Sequence, residues 1–283
     1  MIDVSVVGSL HLDIMVAAPR LPQVDETLIG SSWHYKCGGK GGNQAVAAAR
    51  AGAKTAFGGQ TGSDDFGKRL RTNLTSAGVD TTHVDIDPGQ GSGMSVAISE
   101  EAGEYGAVVV SGANLTIDPN AIETRWEQLW RTKVMLLQNE IPEAVSITAA
   151  LNARRNGALV ILNAAPVRDM SPVFMNLIDV LVVNRVEARM LSGTDDPDRA
   201  LATLHTPRCD VIITRGAEGL SLMTRDGVRT DIPALPVKLV SAHGAGDCFC
   251  GTLAARIAAG EDLGFACRLA SAAAARLVST PRA

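Results

Sequence analysis

The sequence predicts an α/β protein: a mostly parallel central sheet with helices on both faces (a Rossmann-like arrangement), plus a small antiparallel β lid. Three observations carry that expectation. After Asp118-Pro119, short apolar runs alternate with helical segments, as parallel strands covered on both sides do. Before it, residues 27–36 and 93–110 are polar and apolar by turns, the pattern of antiparallel strands with one wet face. Two glycine-rich turns each open onto an Ala-rich helix, which places candidate binding loops at strand ends.

Taken in order, Val4 to Gly8 is a β-branched run ending in Gly-Ser, a buried strand that delivers a loop; His11 and Asp13 are placed just past its end. Asn43 to Ala51 is helical, Thr55 to Gly59 a strand, and Asp64 to Ala77 an amphipathic helix stopped by Gly78. Asp118-Pro119 starts a helix. Then come Val134 to Leu137, Pro142 to Arg155, Leu159 to Leu162, Val180 to Val183, Glu187 to Leu191 and Val211 to Thr214, strand and helix in turn. Gly219 to Thr224 and Gly227 to Asp231 flank Arg225-Asp226 as a hairpin. Two Ala-rich helices, Asp247 to Ala259 and Asp262 to Val278, close the chain. With no low-complexity linker and no repeat, residues 1–283 are read as one domain, its lid strands near 27–36 and 93–110.

Composition removes several function classes. A net charge of -4, from 26 basic and 30 acidic residues spread along the chain, leaves no basic stripe for nucleic acid. No apolar run reaches the roughly 18 residues of a membrane span, and Met1 leads straight into a strand-like segment, so a soluble, cytoplasmic protein is expected. The five cysteines are an odd number without framework spacing and read as reduced packing thiols. Cys248 and Cys250 beside Asp247 lack the histidine that a zinc pattern needs.

Two segments carry chemistry. In Cys37-Gly38-Gly39-Lys40-Gly41-Gly42-Asn43-Gln44, glycines at a helix entry let backbone amides approach a ligand, while Lys40 and Asn43 offer hydrogen bonds to hydroxyls. The order is not that of a Walker loop. In Gly244-Ala245-Gly246-Asp247, small residues let amides converge at a helix N-terminus on developing negative charge, and Asp247, taken as the first helical residue, is a candidate general base. A plain helix entry and a plain N-cap are the competing structural readings of the two.

Colinear with them stand Asn184-x-x-Glu187 and Thr214-Arg215-Gly216-Ala217-Glu218-Gly219, and the set resembles the ribokinase-like family of carbohydrate kinases from about Val4 to Val278. The resemblance implies a sugar site at Asp13 and at Gly39, Lys40, Gly41, Gly42 and Asn43. Glu140 is a further sugar-side acid, and His11 stands where an asparagine is common. It implies that Asp247 is the catalytic base, that Gly244, Ala245 and Gly246 form the anion hole, and that Asn184 and Glu187 position ATP phosphates and magnesium through water. Thr214 through Gly219, with Gly246, would contact the nucleotide, and Ser271 would line the adenine pocket; Arg215 replaces a commoner small residue.

The resemblance breaks at Ser241-Ala242-His243, where the family carries Asp-Thr, and at Ala283, where a loop of a monovalent-cation site would begin. Potassium activation is therefore not expected. The activity implied is transfer of the γ-phosphoryl of ATP to a primary hydroxyl of a pentose, most simply the 5-hydroxyl of ribose. Two alternatives stand beside it: a kinase of another sugar or of a nucleoside, and a catalytically impaired member that only binds sugar or nucleotide. Leu28, Ile29, Trp33 and Tyr35 in the lid predict a lid-to-lid homodimer.

Overall fold

A computed structural model describes residues 1–100 and 105–280. The first part runs β1 (Ile2–Val7), β2 (His11–Ala18), β3 (Ser32–Gly38), α1 (Lys40–Arg50), β4 (Thr55–Gly62), α2 (Asp65–Ser76), β5 (Asp80–Asp87), β6 (Met94–Glu100) and β7 (Tyr105–Val110). It continues through α3 (Pro119–Arg125), β8 (Thr132–Gln138), α4 (Glu143–Arg155), β9 (Leu159–Asn163) and a single turn, α5 (Pro172–Met175). Then follow β10 (Val180–Asn184), α6 (Arg185–Ser192), α7 (Pro197–Leu204), β11 (Asp210–Thr214), β12 (Leu220–Met223), β13 (Arg229–Ile232), α8 (Ala245–Ala258) and α9 (Leu263–Ser279).

Nine strands form one sheet in the order β13-β12-β11-β10-β9-β8-β1-β4-β5, parallel from β11 to β5, with the β12-β13 hairpin antiparallel at one edge. Successive side chains of a strand point to opposite faces, so both faces need an apolar cover. Val4, Val6, Leu136, Ile161, Val182 and Ile212 pack under α1, α2, α8 and α9 with Phe249, Leu253 and Ala266. Val7, Met135, Leu137, Val160, Leu181 and Ile213 pack on the other face with Trp126, Val145, Ala149 and Phe174. Each fully buried side chain of this size stabilises by about 1.5–3 kcal/mol relative to exposure.

Chain direction through the sheet reverses between β1 and β8: β1 leads outward to β4, and β8 leads the opposite way to β9. That reversal opens a crevice beyond the carboxyl ends of the two strands, where open α/β sheets bind ligands. The residues delivered there are Gly8-Ser9 after β1 and Asn139-Glu140 after β8.

The lid is a second sheet, β3-β2-β6-β7, whose β2-β3 and β6-β7 pairs are antiparallel, as expected, and whose central β2-β6 pair is parallel. It corrects the sequence reading in two places. His11 and Asp13 lie within strand β2, not in a loop, and the alternation of Leu12, Ile14 and Val16 is the signal for that strand. Thr27 to Ser31 is not strand; β3 begins at Ser32. The expected lid stretch 93–110 includes residues 101–104, and the expected chain end includes 281–283; both lie outside the described residues. Strand β5 and helix α7 are additions to the sequence reading, although Asp196 caps α7 with Pro197 at its first position. No helix among the described residues is long and apolar enough to cross a membrane.

Candidate active site

The Gly-rich turn is shaped by close backbone approach. Gly39 has φ 84°, and a Cβ there would lie 2.8 Å from both the His11 amide nitrogen and the Ser9 carbonyl oxygen. At Gly41 a Cβ would stand 2.7 Å from the Ser9 nitrogen, and at Gly42 2.7 Å from Leu10 Cδ2. Only glycine lets α1 start this near to the end of β1. The helix starts at Lys40, three residues earlier than its composition indicates, so Asn43 and Gln44 occupy its first turns.

Glu140 fixes this turn from the far strand. Its carboxylate accepts the Lys40 backbone N–H at 2.8 Å and the Ser9 hydroxyl, and His11 Nδ1 lies 4.0 Å away. His11 is buried, and its Nε2 has no partner among the described residues. Asp13 accepts from Ser95 Oγ of β6 and occupies the space that a Gly38 side chain would fill, 2.3 Å from that missing Cβ. The candidate sugar residues His11, Asp13, Gly39, Gly41, Gly42, Asn43 and Glu140 thus gather around one turn.

Asp247 reaches the same place from α8. It is the third residue of that helix, not the first: Gly244 in the left-handed region (φ 79°) is the N-cap and Ala245 begins the helix. The carboxylate is buried and held at both oxygens, Oδ2 accepting from Asn43 Nδ2 and Oδ1 from Gln44 Nε2, each at 3.0 Å. Burial pushes its pKa up, and the Glu140 charge adds to that; Lys40 and the two amide donors pull it back toward the ionised form.

Beside Asp247 lies a cavity of about 180 Å³ lined by Lys40, Asn184, Glu187, Thr214 and Gly244 through Asp247. Lys40 thus both lines this cavity and heads the acceptor turn, where its backbone N–H donates to Glu140. A Cβ at Gly246 would meet nothing within 4 Å among the described residues, so packing does not require glycine there. Asn184 and Glu187 form a capping box on α6: the Glu187 N–H donates to Asn184 Oδ1 at 2.9 Å and the Asn184 N–H to Glu187 Oε2 at 2.7 Å. That leaves one Glu187 oxygen for the cavity. Burial and the Asp247 charge raise the Glu187 pKa, while Asn184 and Lys40 oppose the shift.

Other residues fall farther out. Arg215 points to β13, 3.6 Å from Asp231, and Glu218 pairs with Arg185; Gly216–Glu218 form one tight turn closed by the Arg215 N–H on the Gly219 carbonyl at 2.7 Å. Of this loop only Thr214 lines the cavity. Ser271 lines neither this cavity nor the groove of about 760 Å³ between α1, α8 and α9, whose wall is formed by its neighbours Ala272 and Ala273. Sequence reading missed Gln44, Gln138 and Asn163, all buried and hydrogen-bonded in a row beside Asp247.

Known proteins resemble this arrangement along the whole chain. The family model described as pfkB family carbohydrate kinase matches residues 1–283. Ribokinase of Haemophilus influenzae is 33% identical over 277 residues, 96% of this chain and 90% of that protein. Ribokinase of Mus musculus is 36% identical over 259 residues, 89% of this chain and 80% of that one. The solved Arabidopsis thaliana ribokinase, complexed with ribose and ATP, superposes with a TM-score of 0.94 at 28% identity, covering 100% of this chain and 94% of its own. Matched by the family model over its whole length and by relatives more than 30% identical along most of it, the chain belongs to the pfkB family of carbohydrate kinases.

Proposed function

We propose that this protein transfers the γ-phosphoryl group of ATP to the 5-hydroxyl of ribose. The observation that carries the reading is the meeting of the Gly39–Asn43 turn and Asp247 at one buried point, through the Asn43–Asp247 hydrogen bond. Asp13, Glu140 and His11 would receive the ring hydroxyls, a carboxylate being able to accept two of them. Asp247 would accept the proton of the attacking hydroxyl. The amides of Gly244, Ala245 and Gly246 at the start of α8, with Lys40, would stabilise charge on the transferred group.

Thr214 would contact the nucleotide from the cavity wall, with the Gly216–Glu218 turn beyond it. Asn184 and Glu187 suit magnesium held through water: no cluster of three ligating side chains occurs among the described residues, and Glu187 keeps one oxygen free, a donor set for an ion that retains several waters. When bound, that ion would neutralise phosphate charge. We also read the protein as cytoplasmic, a single domain, and a homodimer joined through its lids. Because Ser241-Ala242 supplies no carboxylate ahead of α8, equal rates in sodium and potassium are expected.

A coupled assay of ADP release across a panel of polyols tests the reading, and it fails if ribose gives no turnover while another acceptor does. Buried His11, with Nε2 unpartnered among the described residues, favours a second reading, phosphorylation of a different sugar or a nucleoside, and the same panel decides between them.

A further inference from the structure

Beside Asp247, three buried carboxamides from three different elements line up: Gln44 of α1, Gln138 of β8 and Asn163 of β9. Their hydrogen bonds have one possible direction. The Val182 carbonyl can only accept, so Asn163 turns Nδ2 toward it at 3.3 Å and Oδ1 toward Gln44. Gln44 Nε2 then donates to Asn163 Oδ1 and to Asp247 Oδ1, both at 3.0 Å, while its Oε1 accepts from Gln138 Nε2 at 2.7 Å. Both N–H groups and the carbonyl of Gln44 are used. A flipped amide would face two acceptors with an oxygen and one donor with an N–H.

We propose that Gln44 is a positioning residue: its amide, locked by Gln138 and Asn163, clamps the Asp247 carboxylate in the plane needed to take the acceptor proton. The inference rests on the reading of Asp247 as the base. Asn43 holds the other carboxylate oxygen, so adjacent residues of one helix fix both ends of the group, and each oxygen keeps a lone pair for the acceptor. An apolar core would bury this volume at less risk, since a partly satisfied polar network in low dielectric is costly. The chain instead leaves Gln138 Oε1 without a partner among the described residues and puts glycine at position 8, where a Cβ would lie 2.0 Å from that oxygen. The charged and titratable groups that face Asp247 are Lys40, Glu140 and Glu187 from neighbouring elements and Cys250 on its own helix, with His243 and Cys248 beside it in the adjoining groove; a Gln44 substitution removes none of them.

The test is Gln44→Met, similar in length but without N–H donors. The expected result is a kcat lowered about 10- to 100-fold, the loss of one hydrogen bond to a charged group. KM for ribose and ATP should stay within about twofold, and the acid limb of kcat should move to higher pH. Gln138→Met, which keeps the donor but frees its far end, should give a smaller loss of the same kind. The 13C resonance of the Asp247 carboxyl, assigned by its loss in Asp247→Asn, should shift in both variants in the absence of any substrate. If Gln44→Met does not fold, Gln138→Met decides by the same readings. An unchanged carboxyl resonance, or a rise in KM at constant kcat, overturns the proposal. Wild-type protein inactive on every polyol would instead sink the kinase reading while the carboxyl resonance still reports on the clamp.

Discussion

Asn43 and Asp247, 204 positions apart in the chain, are joined by a 3.0 Å hydrogen bond where α1 crosses α8. The crossing is close because Gly251 has no side chain: a Cβ there would lie 2.3 Å from the Gln44 carbonyl oxygen and 2.6 Å from Ala47 Cβ. Gly251→Ala must push the helices apart, and with them the acceptor turn from the base. We expect a stability loss of about 1–3 kcal/mol, the usual cost of overpacking, and a fall in kcat at temperatures where the variant remains folded. Thermal unfolding and steady-state kinetics on one preparation check both.

The pH profile follows from the burial of Asp247. Only the ionised carboxylate can accept a proton, and burial raises its pKa. Activity should therefore be lost as pH falls through that raised value, at a pH above the 3.9 or so of an ordinary aspartate. Asp247→Asn should lower kcat about 10²- to 10⁴-fold and abolish that limb. Calorimetry should show ribose and ATP analogue still binding.

Glu140 joins two loops with one carboxylate, so its removal strands the Lys40 N–H and the Ser9 hydroxyl together. Glu140→Ala is expected to lower kcat/KM for the sugar about 10- to 100-fold, consistent with about 1.5–3 kcal/mol for hydrogen bonds to a charged group. KM for ATP should change far less. Equal loss toward both substrates would show that the turn had collapsed instead of losing an anchor.

Much of this was readable from residues in order. The buried parallel strands announce themselves as apolar runs, and α2 by Asp64, which accepts the Gly67 N–H, and by Gly78. Asp247 stood out as an acid at the end of a glycine turn, and Glu140 only through the family resemblance. Strand β2 was not readable in the same way, because His11 and Asp13 drew it toward loop chemistry while its alternation was short and partly polar. Gln44, Gln138 and Asn163 carry no local signal at all: an amide in a core has meaning only once three elements have converged. The place of Ser271 was unreadable for the opposite reason. In an Ala-rich helix, which residue faces a groove is set by helix rotation, and here Ala272 and Ala273 face it.

The capping box of Glu187 and its proposed role toward magnesium are separated by one substitution. Glutamine at the third helical position supports a capping box as glutamate does, so Glu187→Gln should leave the unfolding temperature nearly unchanged. The lost charge should raise the magnesium concentration needed for half-maximal rate about 10-fold or more, as outer-shell changes at metal sites do. Chelation with EDTA should abolish turnover by the wild type. A variant that unfolds early but titrates magnesium normally would assign Glu187 to the cap alone.

The lid's register sorts its side chains by face. Ile14 lies opposite Tyr35 and Val96, Val16 opposite Trp33 and Ile98, and Val96 opposite Val108, so these seven share one surface. Asp13, paired with Lys36 and Ser95, belongs to the other surface, and so does Val109, opposite Ser95. Trp33 and Val108 are 61% and 69% exposed, too much apolar area to leave in water without a partner. A second copy presenting the same face would bury both, since a two-fold interface is self-complementary. Light scattering should give twice the chain mass for the wild type and the chain mass for Val108→Asp, with Val109→Asp, one residue along on the opposite face, still dimeric. A wild-type monomer refutes the lid-to-lid dimer; dissociation by Val109→Asp alone would move the interface to the other face.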